Sequence, residues 1–199
     1  VIKIEIVNWN KKNYPAFARL LKVVALNGQK NSDHLFIINK YGIKRTLAQN
    51  KNTAHFQGII ESSKKNRLNL ENLLTLTIDP SSAKDFDDAL SIEKKSTGYR
   101  IFVHIADVSE FVLEGSKIDN EAMIRGNSYY FYEGVSHMLP ESLSENFCSL
   151  KENQLRLALT VTIDLGFKGE ITNSKIHETV IKVDKRFSYE EIEDILNKN

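Results

Sequence analysis

The 199-residue sequence predicts an α+β protein in two parts, a smaller basic part followed by a larger acidic one of mixed strands and helices. Three observations predict it. Apolar and polar residues alternate in short runs along the chain, as they do in half-buried strands. Two long runs rich in Thr, Ile and Val, 155–164 and 170–183, flank Gly166-Phe167-Lys168-Gly169, which suits a hairpin turn. Charge divides along the chain. Residues 1–70 hold 13 Lys/Arg against 3 Asp/Glu, and residues 71–199 hold 14 against 23, so a +10 part and a −9 part cancel to +1.

In order, residues 1–7 alternate Val/Ile with polar residues and read as a strand. Residues 8–15 read as an Asn-rich loop closed by Pro15. Residues 17–26 admit strand or helix; Val23 and Val24 favour strand, and Asn27-Gly28 supplies a turn. Residues 35–38 admit either state. Residues 48–72 read as a partly helical connector. Beyond it, 73–79 reads as a strand, because Pro80 forces Asp79 toward extended geometry. Residues 89–92 and 99–108 read as strands joined around Thr97-Gly98, and 119–125 as a short helix with Asp119 as N-cap. After the two long strands, Ser188-Tyr189-Glu190-Glu191 is a capping box, and Ile192, Ile195 and Leu196 share one helix face.

Hydrophobic residues at 41 % and charged residues at 27 % are globular proportions. No apolar run reaches the ~18 residues of a membrane helix, and Arg19 and Lys22 interrupt the best stretch, 16–26. The strand-like start is not a secretory signal, and the missing initiator Met suggests a segment of something longer. A single cysteine, Cys148, excludes an internal disulfide and a Cys-based zinc site, and fits a reducing cytoplasm.

The segment richest in chemistry is Thr77-Ile78-Asp79-Pro80-Ser81-Ser82-Ala83-Lys84-Asp85-Phe86-Asp87-Asp88-Ala89. Asp79 stands at a strand end, and Asp85, Asp87 and Asp88 stand on a loop entering the next strand. If that loop folds back, four carboxylates converge. Like charges at close range raise one another's pKa or demand a cation. Hard carboxylate oxygens favour Mg²⁺ or Mn²⁺ over zinc, and such a site serves phosphodiester hydrolysis. The bland alternative is a solvated Asp-rich turn. A calcium loop of EF-hand type fails, since counting from Asp85 the sixth position is Leu90 and the twelfth is Ser96.

This cluster resembles the signature of the ribonuclease II/ribonuclease R family, whose catalytic domain is called RNB. Further blocks resemble the family in the same order: Ile105-Ala106-Asp107-Val108-Ser109; Glu114-Gly115-Ser116 with Asp119; Arg125-Gly126-Asn127-Ser128-Tyr129-Tyr130; Met138-Leu139-Pro140-Glu141-Ser142-Leu143-Ser144; Cys148-Ser149-Leu150; and Arg156-Leu157-Ala158-Leu159. His137 departs from the pattern, standing where the family has Pro. The start of the chain resembles, more weakly, the end of the second cold-shock domain, an OB-type barrel. The resemblance thus implies a partial OB-type β-barrel over residues 1–47, a connector over 48–72 and the N-terminal half of a mixed α/β RNB catalytic domain over 73–199. It further implies a processive, Mg²⁺-dependent 3′→5′ exoribonuclease that releases nucleoside 5′-monophosphates from single-stranded RNA. The parent is then a cytoplasmic monomer.

Carried over by position, Asp79 and Asp88 resemble the main metal ligands, Asp85 completes the set, and Asp87 resembles the aspartate closest to catalysis. Tyr130 falls where the family stacks an aromatic on a base; Tyr129, Phe131 and Tyr132 read as strand-face or core aromatics. The family's remaining active-site arginine and glutamate fall outside this sequence, so the 199 residues alone are expected to be inactive. The rival within the same fold is a non-catalytic RNA-binding RNB-like protein; a calcium-binding module is the second.

Other polar residues have structural readings. His104 reads as a hydrogen-bonded core residue, Asp107 as structural or pocket-shaping, Arg125 and Arg156 as paired, and Cys148 as small and buried. In the basic part, Lys3, Lys11, Lys12, Arg19, Lys22 and Lys30, with Trp9, Tyr14 and Phe17, suit a single-strand-binding surface; a solvated Lys face is the alternative.

Overall fold

The computed structural model describes residues 1–8, 16–26, 28–43, 53–132 and 134–198. Trp9, Lys11, Lys12, Tyr14 and the loop ending at Pro15 lie outside the described residues, as does Asn27 of the expected turn. Two compact units are present. One comprises residues 1–47 and 122–138, the other 48–121 and 139–199.

In the first unit β1 (Ile2–Asn8) and β2 (Phe17–Val23) pair antiparallel, with a register shift at Lys3/Ile4. The alternation of residues 1–7 and the Val-rich second run do form strands. Two strands do not close a barrel by themselves. The ambiguous stretch around Leu35 is helix α1 (Ser32–Tyr41), ended by Gly42 in the left-handed region at φ 67. A short hairpin, β7 (Tyr129–Phe131) and β8 (Gly134–Ser136), completes the described part of this unit.

The second unit is organised by a seven-stranded mixed sheet ordered β11-β4-β5-β6-β9-β10-β3. Its strands are β3 (Leu68–Asn69), β4 (Thr75–Asp79), β5 (Asp88–Lys95), β6 (Gly98–Ala106), β9 (Leu155–Gly166), β10 (Ile171–Lys182) and β11 (Lys185–Ser188). β3 and β11 run parallel to their neighbours, and the inner pairs are antiparallel. The strand expected from residue 73 starts at Thr75, because Leu73 closes a turn onto Leu70 O at 3.0 Å. Around Thr97-Gly98, Gly98 has φ +148, and a Cβ there would lie 1.9 Å from Leu165 O, so only glycine lets β6 pass β9 at that point.

The stretch read as a connector contributes α2 (Thr53–Ser63), which sends Phe56 and Ile60 into the core beside Phe86, Phe111, Leu143, Phe147, Leu150, Leu157 and Ile181. Burying aromatics of this size contributes ~1.5–3 kcal/mol each, so residues 53–63 belong to the unit's core. Helix α3 (Lys117–Arg125) corrects the expected cap. Ser116 Oγ accepts from Asp119 N at 3.2 Å, and Asp119, the third helical residue, accepts from Gly115 N at 2.8 Å. Helix α4 (Tyr189–Asn197) carries both halves of the capping box at Ser188 and Glu191.

Candidate active site

The four aspartates sit where β4 and β5 part. These strands share two register pairs, Thr75 with Ser91 and Leu76 with Leu90, then separate so that residues 80–87 form a wide loop. Asp79 ends β4 and Asp88 begins β5. Three anchors fold the loop back. Phe86 is buried in the core, and its carbonyl accepts from Leu150 N at 2.8 Å. Ser149 Oγ accepts from Phe86 N at 3.1 Å and donates to Lys84 O at 2.8 Å. Arg186 Nη2 donates to Pro80 O at 2.7 Å and Ser81 O at 3.0 Å, and its guanidinium lies 5.3 Å from the Phe86 ring centroid. Anchoring Phe86 inward leaves Asp85 half-buried and Asp87 and Asp88 exposed.

The electrostatics follow. Burial raises the pKa of Asp79, the charges of Asp88 and Asp85 add to it, and Thr77 and Arg186 oppose it. Asp87 is exposed as a residue, but partial loss of water around its carboxyl raises its pKa, with Asp85, Asp88 and Asp79 adding further. Asp79 Oδ2 is buried and has no well-formed hydrogen bond, the Thr77 side chain offering only a marginal one, a costly state for a carboxylate oxygen. Asp79 and Asp87 therefore each feel the charges of Asp85 and Asp88. Among the described residues, no three His, Cys, Asp or Glu side chains close around one point as metal ligands. The donors are hard oxygens, and one lacks a well-formed hydrogen bond, which fits Mg²⁺ or Mn²⁺. Mg²⁺ takes one or two carboxylates and completes its shell with water and substrate phosphate rather than with a protein cage.

Tyr130 belongs to the other unit, on β7 opposite Val135, and is 64 % exposed. Its neighbours divide. Tyr129 stacks on Phe131 at 6.5 Å, and Phe131 meets His34 at 4.3 Å, as packed aromatics do. Tyr132 is fully exposed, at 103 %, and is neither core nor covered strand face. It lies at the hairpin tip, where no strand partner covers it.

The remaining polar residues are structural. His104 is fully buried between Ser91 and Thr160, and burial lowers its pKa to about 4. Asp107 Oδ2 pairs with Arg67 Nη2 at 2.6 Å, and Glu110 takes the same nitrogen at 2.8 Å. Arg156 Nε donates to Asn146 O at 3.1 Å and Ser149 O at 2.8 Å. Arg125 donates to His137 O at 3.1 Å. Burial pushes the Cys148 thiol up to about 12, so it is inert at neutral pH. Arg186 and Ser149 are the site residues that sequence reasoning missed. Arg186 stands next to the capping box, and nothing local to it announces a partner 106 residues away.

The model of the RNB domain matches residues 67–199. The chain belongs to the RNB domain family. It is 37 % identical to ribonuclease R of Aquifex aeolicus over 195 residues, which is 96 % of this chain and 28 % of that protein. It is 46 % identical to ribonuclease R of Chlamydia trachomatis over 133 residues, 66 % of this chain and 19 % of that one. The structure of Mycoplasma genitalium RNase R in complex with ribose methylated single-stranded RNA superposes with a TM-score of 0.86 at 29 % identity, covering 99 % of this chain and 31 % of that one. The chain thus spans under a third of these relatives' lengths. The fold is also that of yeast Ssd1, a pseudonuclease, at a TM-score of 0.73 and 16 % identity.

Proposed function

We propose that this chain is the carboxylate half of the active site of an RNB-family 3′→5′ exoribonuclease that hydrolyses single-stranded RNA processively to nucleoside 5′-monophosphates. The observation that carries the reading is the buried Asp79 Oδ2 without a well-formed hydrogen bond, inside a loop where burial and neighbouring carboxylates raise Asp79 and Asp87 and whose backbone is pinned at three places. A solvated turn needs no such clamp. Asp79 and Asp88 are the residues to hold a Mg²⁺ or Mn²⁺ ion, with Asp85 completing the set. Such an ion, when bound, neutralises phosphate charge and makes water a nucleophile. What the chain itself contributes is position. Arg186 and Ser149 hold the loop, Asp87 orients the attacking water through its exposed carboxylate, and Tyr130 stacks on a base regardless of sequence, worth ~1–3 kcal/mol. Residues 1–47 are read as the end of an OB-type cold-shock domain that tracks the strand. The enzyme works as a cytoplasmic monomer, and among the described residues no helix is long and apolar enough to cross a membrane.

The test is a graft. The chain replaces its matching segment in Aquifex aeolicus ribonuclease R, and release of mononucleotides from single-stranded RNA is measured with Mg²⁺. The chimera should degrade RNA, its Asp87→Asn variant should lose at least a hundredfold in rate, and the isolated 199 residues should release little or nothing. Unchanged degradation by the Asp87→Asn chimera would refute the assignment and favour the non-catalytic RNA-binding reading.

A further inference from the structure

Five strands of the larger sheet are joined by a line of buried side chains that the carboxylate site does not use. Thr75 on β4, Ser91 on β5, His104 on β6, Thr160 on β9 and Thr179 on β10 are all buried. Thr75 Oγ1 lies 2.8 Å from Ser91 Oγ, Ser91 Oγ 3.0 Å from His104 Nε2, His104 Nδ1 2.8 Å from Thr160 Oγ1, and Thr160 Oγ1 2.7 Å from Thr179 Oγ1. The ends are closed by backbone. Thr75 donates to Leu73 O at 2.8 Å and Thr179 to Ala158 O at 3.1 Å. Thr75 with Ser91, and His104 with Thr160, are direct cross-strand pairs. Ser91 stands opposite Phe102, two residues from His104, so the imidazole spans a diagonal that a shorter side chain would leave open.

One end of this line lies at a short join in the sheet. β9 and β10 pair along their whole length, whereas β4 is held to β5 by two register pairs, one of which is Thr75 with Ser91. Asp79 lies four residues beyond that join and Asp88 three residues before Ser91. At ~3.3 Å per residue the two carboxylates stand ~10–13 Å from it along their strands. Asp79 is paired to Ser188 on β11 and Asp88 to Ile105 on β6, so a slip of β4 against β5 at this join shifts one carboxylate relative to the other.

Proton counting makes the line specific. It has six contacts, and its four hydroxyls carry one proton each. Burial keeps the imidazole neutral at pH 7, with a single N–H. Five protons serve six contacts, and since both end hydroxyls point at carbonyls, one inner contact goes without. An imidazolium would supply the sixth proton, but burial makes that form costly.

We propose that His104 is a positioning residue: its imidazole ties the β4–β5 join to the long β9–β10 pair and thereby fixes where Asp79 and Asp88 stand. The part played by those two aspartates rests on the function proposed above; the tie itself does not, so neither readout below uses metal or RNA. Thr179→Val removes the far end. The three protons left for three inner contacts then require the Nε2–H tautomer. Thr75→Val removes the near end and requires Nδ1–H. Nitrogen-15 NMR of the His104 ring at pH 7 reads the tautomer directly. Opposite tautomers in the two variants are expected; the same tautomer in both overturns the proposal. The second readout is amide hydrogen exchange in His104→Phe, which fills the space without hydrogen bonds, and in Ser91→Ala, which keeps the core apolar and small. Exchange of residues 75–79 and 88–91 should rise at least tenfold while residues 155–166 hold. Unchanged exchange, or an equal rise throughout, overturns it. Ser91→Ala decides this if His104→Phe fails to fold.

Discussion

Two polar clusters share one sheet and differ in how their groups are satisfied. Along the line from Thr75 to Thr179 the side chains are uncharged and each finds a partner within 3.0 Å. In the loop from Asp79 to Asp88, two of the four carboxylates have pKa values raised by burial and by the charges of the others, and a buried oxygen of Asp79 has no well-formed hydrogen bond. The first arrangement leaves every side chain with a hydrogen-bond partner, although one of its six contacts lacks a proton. The second raises the free energy of the fold and is held in place by Phe86, Ser149 and Arg186. Polar groups kept against the interest of stability mark the place where a ligand is expected to supply what is missing.

Breaking a buried, satisfied pair elsewhere in this unit, Arg67 with Asp107, should be expensive. Arg67→Met leaves Asp107, 3 % exposed, without its cation. A loss of ~3–5 kcal/mol is expected, read by urea denaturation. Acid should act on the line through His104. His104 titrates near 4 in the folded chain against 6.5 unfolded. The unfolded state therefore binds more protons between those values, and stability falls as pH drops from 6.5 toward 4. The slope from this group is about 1.4 kcal/mol per pH unit. His104→Phe should flatten it in a set of denaturation curves across that range. On the strained side, Arg186→Met frees the Pro80 and Ser81 carbonyls and removes a cation that opposes the rise of Asp79. The loss should be about 1 kcal/mol, accompanied by a further rise in the Asp79 pKa measured by carbon-13 NMR. The smallest effect has the opposite sign. Asp87→Asn removes a repelled charge, so the melting temperature at pH 7 should hold or increase.

The contrast also explains what the sequence disclosed. The aspartates fall within ten residues of one another, and Pro80 after Asp79 places a strand end among them, so the loop is legible from residues 77–89 alone. The hairpin at Gly166–Gly169 and the cap at Ser188 were legible for the same reason, because each is local. Non-local features were not. Arg186 reaches the loop across 106 residues, and Ser63 and Arg67 meet Glu110 from 47 and 43 residues away. The edge strand β3 at Leu68–Asn69 exists only because β10 lies beside it. His104 was readable as a core histidine from its apolar neighbours, but its partners come from other strands. Asp119 was misplaced by three residues because Ser116, the true cap, and Asp119 are both good N-cap residues.

The most direct test of the central claim is the thermal stability of the 199-residue chain and its Asp79→Asn variant, each with and without Mn²⁺. The chain should gain about 2.7 kcal/mol at a hundredfold excess of Mn²⁺ over its Kd. Asp79→Asn should lose most of that gain while being no less stable than the parent when metal is absent. An Asp79→Asn variant that is less stable without metal, yet gains as much from Mn²⁺, would contradict the account.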